Sequence, residues 1–282
     1  MNLEPLVDLP SNARTYTVNV NGAELALLDY APTVGDADEA PVVQLVHGFT
    51  GSKEDFALIG PLLADAGFRV IAHDHRGNNQ SAHTPGHYDL AQLADDVVGI
   101  HDALGLKAVH LLGHSFGGVV AQATAVRHPL RLRSLTLMCS GPGMPVGADG
   151  WLMVMRDFLI PRTMREAWQY MIDNPEHGIN YEPDPDISSL RTQRWINTDS
   201  EAIVTAANIL RYADDVTAQL AGLRVHVVYG EFDDAWAIDE QIRLGTTVGG
   251  VITMIPDAGH CPNEERPEAT AAVLSGYWKS MR

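Results

Sequence analysis

The chain has 282 residues, 45% of them hydrophobic and 20% charged, which is the composition of an ordinary globular protein and a length suited to one large domain with an insertion. Its formal net charge is −17, from 36 acidic against 19 basic residues of which three are lysine, and such a surface argues against nucleic acid or anionic lipid as partners. No signal-peptide pattern opens the sequence, no apolar run approaches about 20 residues, and Cys139 and Cys261 lack metal-site or disulfide-framework spacing; a cytoplasmic location with free thiols is expected.

Thr15–Val20 and Glu24–Tyr30 alternate apolar and polar residues around Asn21-Gly22, which predicts a hairpin with a tight turn. An acidic loop spans residues 31–41, and Val42–Val46 then reads as a buried strand running into His47-Gly48-Phe49. Phe56, Leu58, Ile59, Leu62 and Leu63 have helical spacing and predict a helix over Glu54–Ala66 that stops at Gly67. Arg69–His73 is the next strand, ending in Asp74-His75-Arg76-Gly77. Leu90–Leu104 is amphipathic, with Leu93, Val97, Ile100 and Leu104 on one face. An apolar run up to Leu112 passes through Gly113-His114-Ser115-Phe116-Gly117 into a helix over Phe116–His128, and Arg133–Cys139 is a further strand.

From Ser140 to about Thr217 the rhythm changes: no clear strand occurs, helical stretches follow one another, and three of the five tryptophans lie there. Alternation resumes with a strand at Arg224–Tyr229, a helix at Ile238–Leu244, a strand at Val251–Ile255 and a closing helix at Pro267–Ser280. Strands alternating with helices predict an α/β fold with a mostly parallel sheet and helices on both faces. Residues 1–139 and 218–282 would form this core, and residues 140–217 a helical cap inserted into it.

A strand that turns sharply into a helix at Gly113-His114-Ser115-Phe116-Gly117 holds its central residue in a strained conformation and presents the Ser115 hydroxyl at the helix N-terminus. A serine hydroxyl is a weak nucleophile and needs a base that is itself oriented by a carboxylate. Two later strand ends supply these groups. Gly230-Glu231-Phe232-Asp233-Asp234 offers the acid, with the Gly-x-x-Asp spacing favouring Asp233, and Gly259-His260 offers the base. An oxyanion would be met by the backbone N–H groups of Phe116, at the helix start, and Phe49, after His47-Gly48. His73 and His75 share one strand face but have no evident third ligand, so neither metal nor cofactor is expected.

With these pieces in order, the chain resembles the α/β-hydrolase superfamily of serine hydrolases from about Val42 to Trp278. The resemblance rests on His47-Gly48-Phe49, Asp74-x-Arg76-Gly77 with Ser81, Gly113-His114-Ser115-Phe116-Gly117-Gly118, Gly230-x-x-Asp233, and Gly259-His260-x-Pro262-x-x-Glu265-x-Pro267. Asn79 replaces the usual second glycine of the Asp-x-Arg-Gly stretch; asparagine tolerates positive φ, so the turn is expected to survive. The resemblance implies the nucleophile-elbow order Ser115, Asp233, His260, with Phe49 and Phe116 at the oxyanion.

The function expected is hydrolysis of a carboxylic ester with an apolar acyl or aromatic group. Trp151, Met155, Trp195 and Trp236 are the candidate pocket residues, and oligomeric state is left open. Two alternatives stand beside it. One is carbon–carbon bond hydrolysis of dienone acids, with Arg194 holding a substrate carboxylate, although His114 and Cys261 stand where that group usually has Asn and Trp. The other is a silent, ligand-binding relative.

Overall fold

The computed structural model describes residues 2–81, 87–142, 163–173 and 185–281. Strands β1 (Ala13–Val20) and β2 (Ala23–Tyr30) form the predicted hairpin, turning through Asn21 (φ 51°) and Gly22 (φ 78°). Two consecutive left-handed residues make the turn whose twist matches the strands it joins. The remaining strands are β3 (Val42–Val46), β4 (Arg69–His73), β5 (Val109–His114), β6 (Leu132–Met138), β7 (Val225–Gly230) and β8 (Val251–Ile255). They form one sheet in the order β1-β2-β4-β3-β5-β6-β7-β8, antiparallel through β4 and parallel thereafter.

The helices described are α1 (Ile59–Asp65), α2 (Leu90–Ala103), α3 (Phe116–Arg127), α4 (Met164–Asp173), α5 (Pro185–Ile196), α6 (Ser200–Tyr212), α7 (Ile238–Val248), the single turn α8 (Pro262–Glu265) and α9 (Pro267–Lys279). The predicted helix over Glu54–Ala66 is broken: a 3-10 turn at Lys53–Phe56 precedes α1. Pro61 accounts for the break. In a continuous helix its ring would meet the carbonyl four residues earlier, whereas in the first turn of α1 it costs little. The helix predicted to stop at Leu244 runs on to Val248. Gly245 is interior because a side chain there would meet Ile252, and the left-handed Gly249 (φ 67°) is the stop.

Alternation along the parallel strands divides the core into two layers. Leu111, Leu135, Leu137 and Val227 face α2, α3, α6 and α7, while Leu45, Leu112, Met138 and Val228 face α1 and α9. Between β6 and β7 no strand occurs among the described residues. Met164 and Ala167 of α4, Trp195 of α5 and Ile203 of α6 form a small cluster of their own, against which Phe49 packs. Ala206, Ala207 and Leu210 of α6 also enter the main core, so that helix is tied to the sheet layer.

The sheet's topology locates a crevice. Strands β4 and β5 leave β3 on opposite sides, so the order reverses between β3 and β5, where ligands bind in open α/β sheets. Val46 at the end of β3 is paired with Gly113 near the end of β5.

Candidate active site

Ser115 sits between β5 and α3 at φ 53° and ψ −119°, a conformation non-glycine residues seldom adopt. The glycines around it make the turn sterically feasible. A Cβ on Gly113 would lie 2.1 Å from the Gly117 carbonyl oxygen, one on Gly117 would lie 2.2 Å from that of Val46, and one on Gly118 would lie 2.2 Å from Ser140 Oγ. The Ser115 amide donates to the Met138 carbonyl at 2.9 Å, tying the elbow to β6.

The structure brings Ser115, His260 and Asp233 into one hydrogen-bonded line. His260 Nε2 lies 3.0 Å from Ser115 Oγ, and His260 Nδ1 lies 2.8 Å from Asp233 Oδ1. Asp233 Oδ1 also accepts from the Ala235 and Trp236 amides, and Oδ2 from Gln241 Nε2 at 2.8 Å. Burial pushes the Asp233 carboxyl upward, but the bond and charge of His260 with the Gln241 and Ala235 donors outweigh it, so the group stays below the usual carboxylate range. An acceptor-only carboxylate therefore faces His260 Nδ1, which must be the donor, leaving Nε2 with a lone pair for the serine proton.

Three hydrogen bonds with two side chains hold the main chain around His260. Glu265 accepts from the Gly259 amide at 2.6 Å and from the Cys261 amide at 2.8 Å, and His114 Nε2 donates to the His260 carbonyl at 2.7 Å. Burial, with His260 nearby, lowers His114 to about 4, so its ring is neutral at ordinary pH. Across the cleft, a Cβ on Gly48 would touch both Ser115 Cβ and His114 Nδ1 at 3.4 Å, so the Gly48–Phe49 backbone lies beside Ser115. His47 braces this loop: its Nδ1 donates to the Gly48 carbonyl at 2.8 Å, and its Nε2 accepts from the His75 amide at 3.2 Å. Phe116 begins α3, where the first amides have no partner within the helix, and its ring meets that of Phe49 edge-on at 6.5 Å.

Asp74, Arg76 and Ser81 are spent on structure. Arg76 makes two bonds to Asp96, at 2.6 and 2.8 Å; Asp74 accepts from the backbone and side chain of Lys53; and Ser81 bonds the Asp74 carbonyl and the Ala26 amide. Asn79 takes φ 45°, so the turn keeps its glycine-like shape. Arg194 is paired with Asp55, both largely buried, and Arg191 lies 3.8 Å from Glu264.

The expected pocket residues divide. Trp151 and Met155 lie outside the described residues. Trp195 and Trp236 are only 3% and 2% exposed, the first in the small α4–α6 cluster and the second in the main core beneath the Asp233 loop. Both indoles are covered by packing against apolar neighbours. Gln241 escaped the sequence reading, and its only signal was a polar residue on the buried stripe of a helix between Ile238 and Leu244.

A profile of the family described as alpha/beta hydrolase fold matches residues 41–267. The chain belongs to the α/β-hydrolase fold family. Among this α/β hydrolase's relatives is a protein of Caulobacter sp. (strain K31) assigned as carbamate hydrolase RutD, 31% identical over 209 residues, covering 66% of this chain and 78% of the relative. A 2-hydroxymuconate semialdehyde hydrolase of Pseudomonas putida is 35% identical over 130 residues, 45% of this chain and 46% of that protein. The structure of a thermophilic esterase from Thermogutta terrifontis superposes with a TM-score of 0.73 over 95% of this chain and 99% of the esterase, at 24% identity, a likeness of fold. No helix among the described residues is long and apolar enough to cross a membrane.

Proposed function

We propose that this α/β hydrolase is a cofactor-free serine hydrolase of carboxylic esters. The observation that carries the reading is the Asp233–His260–Ser115 line at 2.8 and 3.0 Å, with the serine lifted out at positive φ. Ser115 Oγ attacks the ester carbonyl as His260 Nε2 takes its proton, and the carbonyl oxygen becomes an oxyanion that the Phe49 and Phe116 amides stabilise. Collapse breaks the bond to the alkoxy oxygen, which leaves with the proton from His260. Water, deprotonated by the same nitrogen, then attacks the acyl-enzyme, and the carboxylic acid departs as Ser115 regains its proton. Asp233 stays ionised throughout and stabilises the imidazolium.

Residues 140–217 act in this reading as a cap, and the apolar cluster of Met164, Ala167, Trp195 and Ile203 packs against Phe49 and so ties it to the proposed oxyanion loop. Carbon–carbon bond hydrolysis is the second reading, favoured by the similarity to the semialdehyde hydrolase. Against it stands Arg194: the guanidinium that would hold a substrate carboxylate already has Asp55 as its counter-ion. A dienone acid would have to displace that buried carboxylate and leave it unpaired, which is costly.

A chain-length panel of nitrophenyl esters and a dienone acid, measured on one preparation, tests both. Esters are expected to be turned over well, each added methylene contributing up to about 0.8 kcal/mol, and Ser115→Ala to lose about a thousandfold or more. Preference for the dienone acid over every ester, with Arg194→Ala inactive, would transfer the assignment to the second reading. Wild-type turnover in Ser115→Ala would remove both.

A further inference from the structure

Cys139, directly after β6, takes a left-handed conformation, φ 47°. Its Sγ lies 3.8 Å from the Gly259 carbonyl oxygen and is fully buried. One ligand atom each from Cys139, Asp233 and His260 falls within 4.8 Å of the other two. The hydrolysis proposed above makes no use of this thiol. A thiol, a carboxylate and an imidazole are the ligand types that zinc takes, at about 2.0–2.3 Å in tetrahedral array, which sets neighbouring ligand atoms about 3.3–3.6 Å apart. To seat an ion at that spacing, the His260 Nδ1–Asp233 pair, 2.8 Å apart, would open and the Cys139 sulfur, within 4.8 Å of both, would close on it.

We propose that Cys139, Asp233 and His260 form an inhibitory site for Zn²⁺ or a similar soft divalent ion. The consequence for activity rests on the triad reading. A metal on His260 Nδ1 takes the place of the proton shared with Asp233. The neutral imidazole then carries its one proton on Nε2, where it faces Ser115 as a donor and cannot accept the hydroxyl proton. The charge balance is simple: the ion binds Cys139 as thiolate and the thiol proton goes to solvent, while the imidazole proton moves from Nδ1 to Nε2. Because a metal binds the thiolate, the ion displaces the thiol proton and binding strengthens as pH rises. The ion's route is through His260, whose side chain is 23% exposed in the cleft and follows Gly259. Oxygen-preferring ions such as Mg²⁺ should bind far more weakly, because a thiolate is a poor ligand for them.

The experiment has two arms. Ester hydrolysis is titrated with ZnCl₂ in the wild type and in Cys139→Ala and Cys139→Ser, with EDTA added afterwards. Separately, CoCl₂ is titrated into Ser115→Ala, with and without Cys139→Ser, while thiolate-to-cobalt absorbance is followed; this arm needs no catalytic activity. Expected are EDTA-reversible inhibition by micromolar Zn²⁺, an inhibitory concentration at least about tenfold higher in the Cys139 variants, and a cobalt–thiolate band that disappears with Cys139. Equal Zn²⁺ sensitivity in wild type and both variants, or no thiolate band in the parent, would overturn the proposal. Because the cobalt arm is read on a serine-less protein, a failed metal site stays distinguishable from a failed ester assignment.

Discussion

The Asp233 side chain has no exposed surface, while that of Asp234, its neighbour in the chain, faces solvent. Four donors converge on the first, and it alone reaches His260 Nδ1. Asp233→Asn presents an amide that can stabilise the wrong imidazole tautomer, so kcat is expected to fall by about three to four orders of magnitude. Asp234→Asn should stay within about twofold, as exposed substitutions away from special contacts generally do for stability. A larger loss in the second variant would shift the acid by one residue. Gln241 extends the same logic one bond further: its amide fills Oδ2 of Asp233, and a hydrogen bond to a charged group contributes about 1.5–3 kcal/mol. Gln241→Leu should lower kcat about tenfold with KM little changed, whereas Gln241→Glu should do worse by setting a second carboxylate against the first. Unchanged kcat in Gln241→Leu would show that the backbone donors suffice to hold the acid.

At the scale of elements, glycines separate two kinds of constraint. At Gly117 an added Cβ meets the Val46 and His47 carbonyl oxygens at 2.2 and 2.6 Å, and neither atom can move without shifting β3. At Gly22 the space is open and only the positive φ of 78° opposes a side chain. Gly117→Ala should therefore cost about 3 kcal/mol or more, and Gly22→Ala about 1–2 kcal/mol, read as shifts of the urea midpoint at unchanged slope. Similar shifts in the two variants would contradict the steric account of the elbow. The same elements indicate what the sequence made legible. Val42–Val46 and Val251–Ile255 could be bounded to the residue because short apolar runs between turn residues leave one reading, and the order of Ser115, Asp233 and His260 follows from which strand ends carry them. The break before α1 depends on a steric effect of Pro61, and the continuation of α7 past Gly245 on how closely β8 approaches; both are tertiary facts that periodicity does not encode. Gln241 and Cys139 lie eight residues from Asp233 and at the end of another strand respectively, so only folding reveals that they share its surroundings.

For the molecule as a whole, the buried histidines govern the response to acid. Burial is the leading cause that lowers His47 to about 3 and His101, His110, His114 and His226 to about 4, and that holds His73 and His75 well below the ordinary value of 6.5. Several are locked in neutral hydrogen-bonding roles: His101 Nε2 donates to Gln44 Oε1 at 2.5 Å, and Gln44 Nε2 in turn donates to His73 Nδ1 at 3.3 Å. A histidine whose folded value is depressed stays neutral in the native state while the unfolded chain takes up its proton. Its stabilising contribution is complete above about pH 6.5 and is lost as pH falls from there towards the folded value. Two glutamates act in the opposite sense. Glu264, raised to about 7 by burial and by Asp55, keeps a proton in the native state that the unfolded chain releases above its own value of about 4.5, and Glu54 is shifted in the same direction by burial and by Asp74. Seven depressed histidines outnumber the two glutamates, so below about pH 6.5 unfolding takes up protons on balance and stability falls with pH. A domain with an ordinary stability of about 5–15 kcal/mol should then lose a large part of it as pH falls from about 6.5 to 5. The carboxylates with lowered values, Asp29, Asp95, Asp215 and Asp233, lose their contributions only below that window. Urea midpoints measured from pH 8 to 5 should stay nearly flat to about 6.5 and then fall steeply, and replacing His110 by Asn should shift the fall to lower pH by removing one of the groups. Midpoints independent of pH down to 5 would mean that these histidines have the same proton affinity folded and unfolded, and that their burial is not what limits the protein in acid.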